Sequence, residues 1–284
     1  MSGSVAPADP GILRFFGFDF LGTMPAPAVP LPAGFAVFLF LVVVIVSFLS
    51  YWLTIESAAV RGRFEARYGR ERGSLRFFVF NKLWGFLWFG VVCTAAALLL
   101  FPGSGVADFG LILPRGGAPA VRTLLWCVVL VPACVFGGFR KNRKIARAGG
   151  NFGRYPEIRV SEWTNRTVAI HVGLWSLYLL AYELMFRGTL LFPLAAILGI
   201  WPAIGINTAL YSAFHVPKGA GEAVGALFLG FLLCLITLST GSIVVAFLVH
   251  VALAVSNGLF AFRFRPDMSY TRVKSGPEQH GRLT

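Results

Sequence analysis

The run Phe35–Thr54, FAVFLFLVVVIVSFLSYWLT, holds twenty residues and no charge. As a helix it would be about 30 Å long, the thickness of a bilayer's hydrocarbon layer. Of the 284 residues 57 % are apolar and 13 % charged, and the mean hydropathy is +0.74, a balance that excludes an ordinary water-soluble domain. No stretch alternates polar and apolar residues as the strands of an outer-membrane barrel do. The fold class expected is therefore all-α, a polytopic transmembrane bundle of about seven to eight helices, some short or broken.

Working outward, residues 1–34 carry six prolines between Pro7 and Pro32 and an aromatic patch of Phe15, Phe16, Phe18 and Phe20. They read as an irregular leader at the membrane surface. With no basic segment before a short apolar core, a cleaved signal peptide is not expected. Beyond Thr54 comes a basic loop with Arg61, Arg63, Arg67, Arg70, Arg72, Arg76 and Lys82, then a second span near Leu83–Phe101. A Gly/Pro-rich connection, with Arg115 and Arg122 as its basic residues, leads to a third span near Thr123–Phe139. The segment Arg140–Arg166 is again strongly basic.

The net charge of +13 thus flanks apolar spans, which suits cytoplasmic loops facing anionic lipid headgroups and argues against nucleic acid as a partner. The positive-inside rule puts both basic segments in the cytoplasm and the amino terminus outside, in a multi-pass protein of a cell membrane, most simply a bacterial inner membrane. Cys93, Cys127, Cys134 and Cys234 lie in apolar spans without metal-type spacing and read as inert thiols.

A fourth span is expected near Val168–Arg187, followed by the apolar pieces Leu190–Trp201, Ala203–Phe214, Ala223–Thr240 and Ser242–Phe262. The first two pieces are too short to cross alone. The membrane domain is therefore 35–262, and the tail 263–284 carries Arg263, Arg265, Arg272, Lys274 and Arg282. A crossing by every piece would strand that basic tail outside, so one short piece is expected not to cross on its own.

Within the fourth span lies AYELMFRG, Ala181–Gly188, where Glu183 is the one acid of the long apolar segments and Arg187 follows it by four residues. An ionised group at membrane depth is costly, so it marks a candidate functional site, and the i,i+4 spacing lets the two charges pair. Two further helices bring imidazoles: His215, one turn after Tyr211, and His250 in the last span, with Asn257 two turns beyond it. Lys218 and Glu222 sit in the connection after His215. His171 and His280 are placed outside the site, the first about 18 Å before Glu183 on the same helix and the second in the tail.

A carboxylate and two imidazoles can activate a water as general base, return its proton to a leaving amine, and donate to a tetrahedral oxyanion. That chemistry suits peptide hydrolysis within the membrane. The same ligands could hold zinc, although the H-E-x-x-H spacing is missing.

These residues carry a family resemblance. Glu183-x-x-x-Arg187-Gly188, Tyr211-x-x-x-His215, and His250 after Thr240-Gly241-Ser242-Ile243 resemble the motifs of the CPBP family (Abi, CAAX-protease and bacteriocin-processing) over about residues 155–262. The resemblance implies an all-helical intramembrane protease of the glutamic type that needs no metal. In it a Glu and a His activate water, and the last His with an Asn stabilises the oxyanion. Its substrate would be a membrane-anchored peptide or protein, such as one with a prenylated tail or a leader peptide.

Two positions depart from the pattern: Tyr182 stands where the first of two adjacent glutamates, the family's base, is usual, and Ala254 stands where an Asn is usual, with Asn257 the nearest substitute. The run His215-Val216-Pro217-Lys218 followed by Glu222 looks like a bacterial subgroup in which a Tyr-Glu pair is frequent. A non-catalytic scaffold or bacteriocin-immunity-type protein, or a small transporter with a Glu–Arg relay, remains an alternative. From Val168 the helix would carry Glu183 about 22 Å toward the outer leaflet, whereas the resemblance implies access from the cytoplasm.

Overall fold

The computed structural model describes residues 31–114 and 116–272. The leader up to residue 30 with its aromatic patch, Arg115, and the end of the tail with Lys274, His280 and Arg282 lie outside the described residues. Helix α1 (Ala33–Glu56) begins at Pro32, whose carbonyl accepts from Phe35 N at 2.8 Å. Ser57 then leaves the helical region, and its Oγ caps α2 (Ala58–Tyr68), a short helix with no buried residue. Gly69, with φ +75°, makes the corner into α3 (Arg70–Leu100). Such a left-handed backbone is open to glycine at no steric cost.

The long α4 (Gly117–Arg147) keeps Val121, Leu124, Leu125, Val128 and Val129 exposed, as a helix facing lipid does. After an irregular segment comes β1 (Glu162–Thr164), and then α5 (Asn165–Leu198) starts from a Thr164/Thr167 capping box. Gly199, φ +88°, turns the chain into α6 (Ile200–Ala213). A single 3₁₀ turn over Val216–Lys218 leads to α7 (Ala220–Thr240). Gly241 closes that helix in the left-handed region, and α8 (Val244–Phe264) and β2 (Ser269–Thr271) follow. The two short strands pair in parallel, Trp163 opposite Tyr270.

The all-α polytopic class is what the chain adopts, with eight helices among the described residues, six of which (α1, α3, α4, α5, α7 and α8) are long and apolar enough to cross a membrane. Its boundaries differ from the hydropathy windows in a consistent way. The basic stretches expected as loops are partly helical: Arg70 to Lys82 is the first part of α3, and Arg140 to Arg147 is the end of α4. Backbone hydrogen bonding does not stop where a helix leaves hydrocarbon, so charge marks the depth of a residue better than the end of a helix.

Leu190–Trp201 is not a separate piece, because α5 runs through it to Leu198 by way of a π turn at Leu184–Leu190. The extra residue of such a turn lets the helix continue while re-aiming its faces. Among the described residues α6, at 14 residues and about 21 Å, is the one short passage.

That continuity accounts for the tail. Arg154 bonds Glu56 at 2.8 Å and Pro217 O at 3.4 Å, Lys141 meets Glu222 at 3.6 Å, and Ser269 N donates to Ser161 O. Both basic segments and the described part of the tail therefore share one end of the bundle. At the opposite end the loop after α3 folds inward. Ser242 Oγ donates to Ile112 O, Ile243 N donates to Gly110 O at 3.0 Å, and Phe109 is buried over α5.

Contact there is close enough that a Cβ on Gly188 would lie 2.6 Å from the Phe109 carbonyl oxygen. Gly188→Val should accordingly destabilise the bundle by about 1–3 kcal/mol, since backbone must move to admit it. A lowered melting temperature in detergent micelles would register this, and an unchanged one would mean the loop is not packed on α5.

Candidate active site

Three helices meet at the middle of the bundle. Glu183 is eighteen residues into the 34-residue α5, about 27 Å along a helix of about 51 Å, and the π turn begins at the next residue. Glu183 and Arg187 are both fully buried, with Arg187 Nη1 3.4 Å from Glu183 Oε2. The other carboxylate oxygen, Oε1, accepts from His250 Nδ1 of α8 at 2.6 Å. Burying a carboxylate and a guanidinium is tolerable only as a pair, so each charge is a condition for the other.

His215 ends the passage of α6. Its Nδ1 lies 2.8 Å from Tyr211 O, and because a carbonyl only accepts, Nδ1 carries the proton. In the neutral ring Nε2 is then left with a lone pair. The ring centroids of His215 and His250 are 6.4 Å apart, and Tyr182 stands edge-on to both at 6.3 and 5.6 Å. Tyr211 packs at 4.7 Å from His215, and its ring carries the Arg187 guanidinium 4.0 Å above it.

Six residues singled out in the sequence therefore converge: Tyr182, Glu183, Arg187, Tyr211, His215 and His250. Three lie elsewhere. Asn257 is two turns beyond His250, and its Oδ1 accepts from Asn142 Nδ2 of α4 at 2.7 Å, which removes it from the cluster. Lys218 and Glu222 line the mouth of a cavity at the basic end, outside hydrogen-bond reach of the imidazoles. That cavity, about 1320 Å³, runs inward from Arg61, Lys141 and Arg154 to Tyr182 and Phe214. The residue beside Glu183 is thus reached from the basic end, although Glu183 itself lies well along α5. Among the described residues no group of three or more His, Cys, Asp or Glu side chains is placed to hold a metal ion.

Two features escaped the reading of the sequence. Asn207 of α6 is completely buried, donating Nδ2 to Phe186 O at 2.6 Å and accepting from Cys234 Sγ at 3.1 Å. The Phe186 carbonyl also accepts from Leu191 N, the long-range bond of the π turn, so Asn207 fills its second lone pair and fixes the turn that carries Arg187. Its one signal was an amide inside an otherwise apolar piece, IGINTAL. Asn207→Leu should cost about 1 kcal/mol of stability, the usual net worth of such a bond. Equilibrium unfolding in detergent measures it, and a stabilised variant would show the amide to be unimportant.

The second is Lys82, read as a loop charge facing lipid. It is instead buried within α3, 2.7 Å from Glu157. Only the packing of α3 against the segment before β1 brings these two together.

Fold and site together define a multi-pass α-helical membrane protein with an acid–imidazole centre buried at mid-depth. Residues 164–256, roughly a third of the chain, match the family model described as type II CAAX prenyl endopeptidase Rce1-like, within CPBP, which agrees with the resemblance carried by the motifs. No curated protein and no solved structure matches the chain. At family level the match supports a CAAX-type intramembrane endopeptidase. It includes Glu183, Arg187, His215 and His250 and leaves the first three membrane-capable helices outside.

Proposed function

We propose that this protein is an intramembrane endopeptidase that hydrolyses a peptide bond in a membrane-anchored peptide or protein. The observation that carries the reading is the 2.6 Å contact between Glu183 and His250 Nδ1, beside Tyr182, whose ring lines a cavity leading from the basic end of the bundle. With Nδ1–H held by the carboxylate, the neutral His250 ring has its lone pair on Nε2. A water approaching there gives its proton to Nε2 as its oxygen attacks the scissile carbonyl carbon, and Glu183 stabilises the imidazolium that forms.

Collapse of the tetrahedral intermediate breaks the C–N bond, and the imidazolium returns the proton to the leaving amine. His215, its tautomer fixed by Tyr211 O, orients the water through Nε2. Tyr182 occupies the place of the family's first glutamate and stands against both imidazoles, where a phenol can donate to the oxyanion.

This reading needs no metal. Glu183 already receives His250 on one oxygen and faces Arg187 across 3.4 Å on the other, and a guanidinium at that distance repels a divalent cation. The cytoplasm is the side from which substrate enters, because the cavity opens among the arginines that the positive-inside rule places there. A prenylated tail is the anchor that the name of the matched family favours. The membrane would be a bacterial inner membrane, with anionic headgroups against the basic end.

The test is cleavage of a lipid-anchored reporter peptide by the purified protein in proteoliposomes, with ¹⁸O from labelled water found in the new carboxylate by mass spectrometry. Cleavage is expected with the wild-type protein and lost in Glu183→Gln, His215→Ala and His250→Ala. Turnover retained in all three would overturn the proposal, and full biological activity of Glu183→Gln would mark a scaffold instead.

A further inference from the structure

The cations at the end of α4 take no part in that chemistry. Orientation by charge asks for them on this side of the membrane, but it does not ask them to share a groove. Arg140, Lys141, Arg143, Lys144 and Arg147 line one of about 780 Å³, together with Phe136 and Phe139, and no acid lines it among the described residues. Elsewhere at the basic end Lys82, Arg154 and Arg265 each hold a carboxylate at 2.7–2.8 Å. In the groove Lys141 reaches Glu222 at 3.6 Å, whereas Arg140, Arg143, Lys144 and Arg147 have no carboxylate partner among the described residues.

Two of these guanidiniums lie on rings one turn back: Arg140 Cζ is 5.7 Å from the Phe136 centroid, and Arg143 Cζ is 5.8 Å from that of Phe139. Stacking of this kind occupies the flat face of a guanidinium and leaves its N–H edge free to donate. Toward the membrane the same face of α4 changes character. By steps of three, four or seven residues Val121, Leu125, Val129 and Phe136 continue the stripe of Arg140, Arg143 and Arg147, and each of these four apolar side chains is more than half exposed. Leu125 to Phe136 covers about 16 Å, half the hydrocarbon thickness of a bilayer.

Groove and stripe together match one ligand chemistry, phosphate at the cationic end and acyl chain along the apolar face. Arg140 and Arg147 are about 10 Å apart along the axis. Four unpaired cations spread over two turns are balanced by two phosphates better than by one. On its other side the same stretch packs against α8: Asn142 Nδ2 donates to Asn257 Oδ1 at 2.7 Å, and a Cβ on Gly138 would lie 2.8 Å from Ser256 Oγ.

We propose that the end of α4 binds a phospholipid bearing two phosphates, of the diphosphatidylglycerol class. Its phosphates sit among Arg140, Arg143, Lys144 and Arg147, its acyl chains follow Leu125 to Phe136, and it clamps α4 on α8. The site does not depend on the endopeptidase reading. Melting of the full-length protein in neutral detergent tests it, with diphosphatidylglycerol, charge-matched phosphatidylglycerol, phosphatidylcholine or inorganic phosphate added and native mass spectrometry counting bound lipid.

Diphosphatidylglycerol should raise the melting temperature saturably, with one lipid bound and half-maximal effect at a concentration at least about fivefold below that of phosphatidylglycerol. Phosphatidylcholine and inorganic phosphate should leave it unchanged. Arg143→Gln/Arg147→Gln should weaken binding about thirtyfold, since each cation near an anionic headgroup is worth about fivefold. Arg63→Gln/Arg67→Gln removes the same charge from α2, outside the groove, and should leave affinity within about twofold. All four side chains are exposed, so neither pair should disturb the fold, and Arg143→Lys/Arg147→Lys should keep most of the binding.

Equal losses from the two glutamine pairs would reduce the site to general attraction by the basic end, and equal affinity for the two charge-matched lipids would remove the need for two phosphates. Either result overturns the proposal. So would a melting shift produced by inorganic phosphate alone, or a dimer in lipid-free detergent that Arg143→Gln/Arg147→Gln dissolves, which would assign the face to a second copy of the chain.

Discussion

His250→Ala is expected to lower the cleavage rate by about 10²–10⁴-fold, the range that a positioned acid–base group contributes. The loss should fall on kcat, because His250 acts on the water and the leaving amine and makes no contact that substrate binding requires. Glu183→Gln should reach a comparable loss by another route. The amide can still accept from His250 Nδ1, but it carries no charge to stabilise the imidazolium, and it leaves the Arg187 guanidinium buried without a counter-ion.

His250 is the cleaner probe, since its side chain is 12 % exposed and its removal strands no fixed positive charge. Rates should be referred to the folded fraction measured for each preparation. A His250→Ala protein that cleaves within about threefold of wild type would remove the base from the proposed chemistry.

Arg187→Met is expected to destabilise the fold by about 3–5 kcal/mol, the cost of leaving a buried carboxylate unpaired. Glu183 has no route to water: it is wholly buried at mid-depth, with His250 on one oxygen and Arg187 on the other. The variant must either bury that charge alone or take up a proton. Adding Glu183→Gln should therefore restore most of the lost stability while leaving the protein inactive, and a double-mutant cycle on equilibrium unfolding in mixed micelles reads the coupling directly. A coupling below about 1 kcal/mol would show that the pair behaves like an exposed one and that the centre is open to solvent.

Much of the site was legible in advance because a membrane makes polar residues conspicuous. Glu183, Arg187, His215 and His250 each interrupt apolar sequence, and the cost of scattering them in lipid argues that they meet. The structure brings these four together with Tyr182 and Tyr211. Asn257 illustrates where that argument fails. Seven residues restore the angular position on a helix but move it about 10 Å along the axis, and at that depth the neighbour is Asn142, not the imidazoles. Lys82 fails for the opposite reason. It sits at the border of a basic stretch, where hydropathy cannot tell a charge snorkelling outward from one turned inward to a partner 75 positions away.

What the sequence by itself determined is whatever depends on transfer between water and lipid: the all-α class, the helices able to cross, the end that carries the cations, and the polar groups that must find one another. What only the tertiary structure decided is continuity and register. Hydropathy does not record that α5 passes through a π turn without breaking, because the turn is held by Asn207 and by Phe109 over Gly188, contacts from distant segments. That one unbroken helix puts the tail at the end expected from its charge, and its re-aimed face sets Glu183 between Arg187 and His250. The cavity that reaches Tyr182 from the basic end is likewise a property of helices packed together, since no single segment encodes the space between them.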